Sequence, residues 1–193
     1  MTDYSQIKMD TKKKLLDLLA LHAYKNGEFT LSSGKKSPHY VNCKPVTLSG
    51  VGLSLVSELF LELLDSKSVA VSGLTLGGDP LVSGLAMESY RQGGYVNALI
   101  VRKNSKGYGT NAWIEGPLPP LNSEVTILED VVTTGASSLK AVEKIRDAGY
   151  VVNNVLTVID REEGAESIFE QHNINLISLF TLKEIFKRHK EIQ

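Results

Sequence analysis

The spacing of apolar positions changes along the chain. Over residues 11–25, Leu15, Leu19 and His22 fall on one stripe with Leu16, Ala20 and Ala23 beside it, which predicts an amphipathic helix stopped by Asn26-Gly27. Residues 28–44 lack a helical period and are broken by Ser33-Gly34 and Ser37-Pro38. They read as two short strands or as a strand and a loop. A second helix is predicted over 51–64, entered through Ser49-Gly50. Its apolar residues (Leu55, Val56, Leu59, Phe60, Leu63 and Leu64) cover more than one stripe, so burial on two sides is expected, for example against a sheet and a partner subunit.

From residue 68 the pattern is regular. Apolar runs at 69–72, 96–101, 125–128, 152–159 and 174–180 read as strands. Between and after them lie helical patterns ending near Arg91, running from Ser137 to a stop at Gly149, and covering 165–172 and 182–190. Strands separated by helices predict an α/β fold, a Rossmann-like parallel sheet with helices on both faces. We expect one domain over 1–193, with a core at 68–180 and an N-terminal helix and hood at 1–45. Ligands of such sheets bind beyond the carboxyl ends of the strands. Four polar stretches, 73–80, 102–109, 129–137 and 160–161, fall at those ends.

The most informative is Val125-Thr-Ile-Leu-Glu-Asp-Val-Val-Thr-Thr-Gly-Ala-Ser-Ser138. An apolar strand leads to Glu129 and Asp130, then Val131 and Val132, and then a turn of Thr133, Thr134, Gly135, Ala136 and Ser137 before a helix. Free amides at a helix start, hydroxyls and a permissive glycine make an anion cup, which reads as a phosphate cradle. The two acids cannot share a point with phosphate, so they are expected to meet ribose hydroxyls or a divalent metal beside it. A P-loop would need a lysine after its last glycine, and none stands there. No G-x-G-x-x-G follows a strand either.

The other three stretches are weaker singly. Residues 73–80 hold Gly73, Gly77 and Gly78, which suit either a flexible turn or a backbone pyrophosphate loop. Residues 102–120 form a long polar loop in which Arg102, Lys103 and Lys106 flank a Gly-Tyr108-Gly unit, with Trp113 further on. A loop of that length reads as a cationic lid over a polyanion, or as a solvated charged loop. Arg161 follows a strand directly and could take a carboxylate in bidentate fashion or simply face solvent.

Composition removes several function classes. At 42% apolar and 22% charged, with a net charge of −1, the chain gives no reason to expect nucleic-acid or membrane binding. Cys43 stands alone, so no internal disulfide is possible, and it reads as a small buried apolar residue. The four histidines have no metal-ligand spacing. With no apolar leader or span, the expected location is cytoplasmic.

The strand, paired acids and Thr-Thr-Gly-Ala-Ser run resemble the type I phosphoribosyltransferases. The likeness narrows to the orotate phosphoribosyltransferase family through Phe29-Thr-Leu-Ser-Ser-Gly-Lys-Lys-Ser-Pro-His-Tyr40, the 73–80 loop, the 102–110 lid, Ile114-Glu-Gly and Ile159-Asp-Arg161, in that family's order over roughly residues 28–165. This resemblance implies the type I phosphoribosyltransferase fold and transfer of the phosphoribosyl group of 5-phosphoribosyl diphosphate to orotate, the penultimate step of UMP synthesis. It implies Mg²⁺, held mainly by diphosphate and ribose hydroxyls near Asp130, and a homodimer whose lid completes the neighbour's site. By the same resemblance Arg102, Lys103, Lys106 and Tyr108 bind diphosphate with Gly77 and Gly78. Residues 129–137 hold the ribose 5-phosphate, Thr133 and Arg161 contact orotate, and Arg102, Lys106, Glu129 and Asp130 serve catalysis. The chain departs from many members at Tyr108, where histidine is common, and at Ser32 and Gly77, where lysine recurs. A purine-specific transferase would leave Arg161 without a carboxylate to pair. A regulator that only senses the diphosphate would need a partner domain and no cationic lid, and a fusion with the next pathway enzyme would need a longer chain.

Overall fold

The computed structural model describes residues 4–30, 36–104 and 113–193. Its central sheet has six strands in the order β5-β4-β3-β6-β7-β8. These are β3 (Ser68–Leu74), β4 (Asn97–Val101), β5 (Ile114–Glu115), β6 (Glu124–Val132), β7 (Asn154–Asp160) and β8 (Asn175–Thr181). All pairings are parallel except β4 with β5, so the expected α/β class holds with an antiparallel edge. The edge strand lies within the stretch 102–120 read as loop; two residues are too few to give a period.

Alternation along the strands decides which helix packs where. Val71, Leu128, Leu156 and Val158 face a core shared with α1 (Tyr4–His22), α3 (Gly50–Leu63), α4 (Gly78–Arg91) and α7 (Leu182–Ile192). Ala70, Val125, Ile127 and Val155 face the opposite core with α5 (Ala136–Asp147) and α6 (Ala165–Gln171). Much of the wide apolar face of 51–64 is met inside the chain, because α3 packs against both α1 and α4, while Leu63 stays exposed. Gly84 lets α3 and α4 close up, since a Cβ there would stand 2.5 Å from Ser57 Oγ.

Three boundaries differ from expectation. The first helix begins at Tyr4 and ends at His22, and Asn26-Gly27 lies in β1 (Tyr24–Thr30) rather than after the helix. Tyr24 decides this: it is buried, its Oη is 2.6 Å from His39 Nδ1, and β1 pairs with β2 (Lys36–Val41) across a register shift at Asn26. A single turn of helix, α2 (Lys44–Thr47), follows where no period was visible, with Pro45 at its start. Finally, β6 runs through the paired acids to Val132, because Val131 and Val132 stay in register with Ile159 and Asp160 of β7. The first charges in the sequence mark the end of the apolar run, not of the strand.

Candidate functional site

Beyond Val132 the chain turns into α5 through Gly135, which caps the helix with φ 80°. A Cβ there would lie 2.9 Å from the Phe169 ring, so both conformation and space favour glycine. The first amides of α5 have no carbonyl one turn back and point out of the helix start. Arg161 N donates to Val132 O at 2.9 Å, which ties the ends of β6 and β7 together. Between them opens a cleft of about 460 Å³. Its lining takes Asp130, Val131, Val132 and residues 133–138 from the floor, Arg161 from beyond β7, Lys44 from α2, and Thr30, Tyr40, Val41 and Asn42 from the hood hairpin.

The cleft therefore gathers Asp130, Val131, Val132, Thr133, Thr134, Gly135, Ala136, Ser137 and Arg161 from the predicted set. Glu129, Gly77, Gly78, Arg102 and Lys103 are not among its lining residues. Lys106, Tyr108 and Ser32 lie outside the described residues. The glycine turn nevertheless reaches the site from the side: a Cβ on Gly77 would be 2.6 Å from Asp130 Oδ1, and one on Gly78 would be 2.7 Å from Gly73 Cα. Asp130 thus occupies the space a larger residue at 77 would need. Arg102 is tied down at the foot of the lid stretch, with Nη1 donating to Glu115 at 3.0 Å, Nε to Asn104 O at 3.2 Å, and its amide to Trp113 O at 2.8 Å. Trp113 in turn lies under Lys144 of α5, whose Nζ is 3.9 Å from the ring centroid. It anchors the end of the lid stretch rather than riding on it.

The two acids have unlike surroundings. Asp130 opens to the cleft, and Lys44 Nζ reaches its Oδ2 at 3.3 Å. Glu129 is buried and accepts from Ser138 Oγ at 3.0 Å. Burial, and then the negative charge of Asp130, push the Glu129 carboxyl up to about 8, against the Ser138 hydrogen bond. At neutral pH this favours a protonated Glu129, while Asp130 pairs with Lys44. Cys43, buried beside Asp130, has its thiol pushed well up by burial and that same charge, so it is a packing residue as expected.

At the far end Arg161 is 5% exposed in its side chain. Its Nε and Nη2 both donate to Glu163 Oε1 at 2.8 Å, and Nη2 lies 3.4 Å from Ser37 Oγ on β2. Lys44 and Glu163 were missed in the sequence. Lys44 sits on one helical turn with no pattern to mark it. Glu163 stands two residues after an arginine already singled out, and that spacing was the available signal. Among the described residues no cluster of three or more His, Cys, Asp or Glu is placed to hold a metal, and no helix is long and apolar enough to cross a membrane.

No family model matches the chain. It is 53% identical over 176 residues to the orotate phosphoribosyltransferase of Thermosynechococcus vestitus, covering 91% of this chain and 93% of that one. Among solved structures it resembles the orotate phosphoribosyltransferase of Mycobacterium tuberculosis H37Rv in complex with Fe(III) dicitrate, with a TM-score of 0.80 at 33% identity over 91% of this chain and 98% of that one. The same mycobacterial enzyme in complex with 5-phospho-alpha-D-ribosyl 1-diphosphate gives a TM-score of 0.75 at 31% identity, again over 91% and 98%.

Proposed function

The chain belongs to the orotate phosphoribosyltransferase family, and from that premise we propose how its cleft divides the reaction. The chain transfers the 5-phosphoribosyl group of 5-phosphoribosyl diphosphate to orotate, giving orotidine 5′-phosphate and diphosphate. The observation that carries our assignment is a single cleft lined by an amide cup, one carboxylate and one buried arginine.

The ribose 5-phosphate sits in the cup at 133–137, held by amides and by Thr133, Thr134 and Ser137 hydroxyls. Asp130 accepts from the ribose hydroxyls, and its charge favours the positive character that builds on the sugar as the C1–O bond breaks. Glu129, its carboxyl raised to about 8, supports Asp130 from below and lowers the charge facing an incoming phosphate. Lys44 pairs with Asp130 until the ribose arrives. Orotate lies under the hood with its carboxylate on Arg161, and Thr133 is within its reach. That arrangement aims the ring nitrogen at C1. The nitrogen–carbon bond forms as the oxygen leaves with its electron pair on diphosphate, and the nitrogen's proton is released. Gly77 and Gly78 offer amides to the diphosphate, and Arg102, Lys103 and Lys106, with Tyr108 as a hydrogen-bond donor, cover it. These lid residues act in the neighbouring site of a homodimer. The whole chain works as one phosphoribosyltransferase domain.

Magnesium fits this cleft as a companion of the substrate rather than as a resident ion. Asp130 is the one carboxylate in the described lining, and Mg²⁺ in such sites takes one or two carboxylates with phosphate oxygens and water. When bound, it neutralises charge on the diphosphate.

The test mixes protein, Mg²⁺, 5-phosphoribosyl diphosphate and orotate and follows loss of orotate absorbance, with adenine and hypoxanthine as alternative acceptors. Turnover with orotate alone is expected. Turnover with a purine and not with orotate would remove Arg161 from its assigned role.

A further inference from the structure

Arg161 does not sit in the cleft as a free cation. The turn after β7 is shaped to bring Glu163 back onto it. Asp160 Oδ1 accepts from Glu162 N at 2.8 Å, Glu162 takes φ 57°, and Gly164 takes φ 95° before α6. A left-handed residue other than glycine costs on the order of 1 kcal/mol, so this turn needs support. Lys183 supplies some by pairing with Glu162 at 3.1 Å. The result is that one oxygen of Glu163 accepts from both Nε and Nη2 of Arg161.

A guanidinium is a planar fork with five donors and two edges suited to carboxylates. One edge is Nε with Nη2; the other is Nη1 with the second Nη2 proton. Glu163 holds the first edge and thereby fixes the plane of the fork, so the second edge is the one left to a ligand. On the reading that orotate's carboxylate meets Arg161, we propose that Glu163 is a positioning residue: it does not touch the substrate but orients the guanidinium that does. The alternative geometry would make Glu163 a competitor that orotate must displace. Its single-oxygen hold on the side edge favours positioning, because it leaves Nη1 and the second Nη2 proton, which meets only the long 3.4 Å contact to Ser37 Oγ, for a ligand while the pair is intact.

The two arrangements predict opposite kinetics. Steady-state parameters for both substrates should be measured on the full chain, on Glu163→Ala and on Glu163→Gln, with the wild-type rate on orotate taken first. Positioning predicts that Glu163→Ala raises KM for orotate about tenfold, since a mis-set donor weakens a charged contact without deleting it. KM for 5-phosphoribosyl diphosphate should stay near wild type even though the melting temperature falls as the buried guanidinium loses its partner, and Glu163→Gln, which keeps an acceptor oxygen, should recover most of the lost orotate affinity. An unchanged or lowered KM for orotate in Glu163→Ala overturns the proposal. So does a parallel rise in both KM values, which would mark Glu163 as structural. If the wild type does not turn over orotate at all, the functional reading itself fails and takes this inference with it.

Discussion

At one end of the cleft the anion receptor we propose is backbone. Residues 133–137 are Thr, Thr, Gly, Ala and Ser, with no cation among them, and the donors are amides at the start of α5. At the other end it is a side chain: Arg161, buried and braced by Glu163 and Ser37. The difference follows from what we propose each end recognises. A phosphate is bulky and many-sided, so a ring of amides fits it whatever the side chains are. A carboxylate is flat and two-pronged, and a guanidinium matches it through two parallel hydrogen bonds. The cup should therefore be sensitive to backbone conformation and local charge, and the Arg161 corner to single side-chain deletions.

The largest effect we expect separates the two ends by pH. Glu129, under the cup, has its folded-state pKa raised from 4.5 to about 8 by burial and by Asp130. A raised carboxyl binds its proton more tightly when folded, so its contribution is complete below the unfolded value and is lost as pH rises through about 8. The slope is at most roughly 1.4 kcal/mol per pH unit, or about 4 kcal/mol between pH 5 and 8. Denaturant unfolding of wild type and Glu129→Gln across that range checks it. The wild type should lose stability relative to the variant as pH rises; parallel curves would mean that the cup does not hold a neutral acid.

Next comes Arg161→Ala. Two charge-assisted hydrogen bonds of roughly 1.5 kcal/mol each put the loss in kcat/KM for orotate at about 3 kcal/mol, a little over a hundredfold. KM for 5-phosphoribosyl diphosphate should hardly move, because the cup is built from other strands. If both substrates suffer equally, the two ends are not independent receptors. Smaller again is Gly135→Ala, which acts on the cup alone. Its φ of 80° and the Phe169 ring 2.9 Å from a new Cβ predict a loss of about 2 kcal/mol. For a chain of this size that is about 4–8 °C in melting temperature. KM for 5-phosphoribosyl diphosphate should rise several-fold with orotate affinity unchanged.

The same contrast explains what was legible in the sequence. The strand, turn and helix of the cup were legible because they are consecutive and their periods and glycine are local signals, although the strand runs on to Val132. Arg161 was visible because it follows a strand directly. Its brace was not, since Glu163 returns through a left-handed Glu162, and Ser37 lies 124 positions away on the hood. Lys44 was hidden for the same kind of reason: its partner Asp130 is 86 positions off, and one turn of helix has no period. The unlike partners of Glu129 and Asp130, Ser138 on one and Lys44 on the other, were also out of reach, because neither partner is marked by a local pattern. Where the sequence misled, at Asn26-Gly27, a breaker pair sits in a strand whose neighbour Tyr24 is anchored from α7 and β2.

The smallest effect tests whether the hood belongs to the Arg161 corner at all. Ser37 Oγ is 3.4 Å from Arg161 Nη2, at the limit of a hydrogen bond, and it is already engaged within β2: it donates to His39 O at 3.0 Å and accepts from His39 N at 3.1 Å. Such a distance supports a few tenths of a kcal/mol, against roughly 1.5–3 for a well-made bond to a charged group. Ser37→Ala should therefore raise KM for orotate by less than about threefold, with stability within about 0.5 kcal/mol of wild type. Measured beside Arg161→Ala in a double-mutant cycle, it should add nothing once Arg161 is gone. A full-sized loss that persists without Arg161 would mean that Ser37 meets the substrate itself, and the corner would then be shared between hood and sheet rather than held by one arginine.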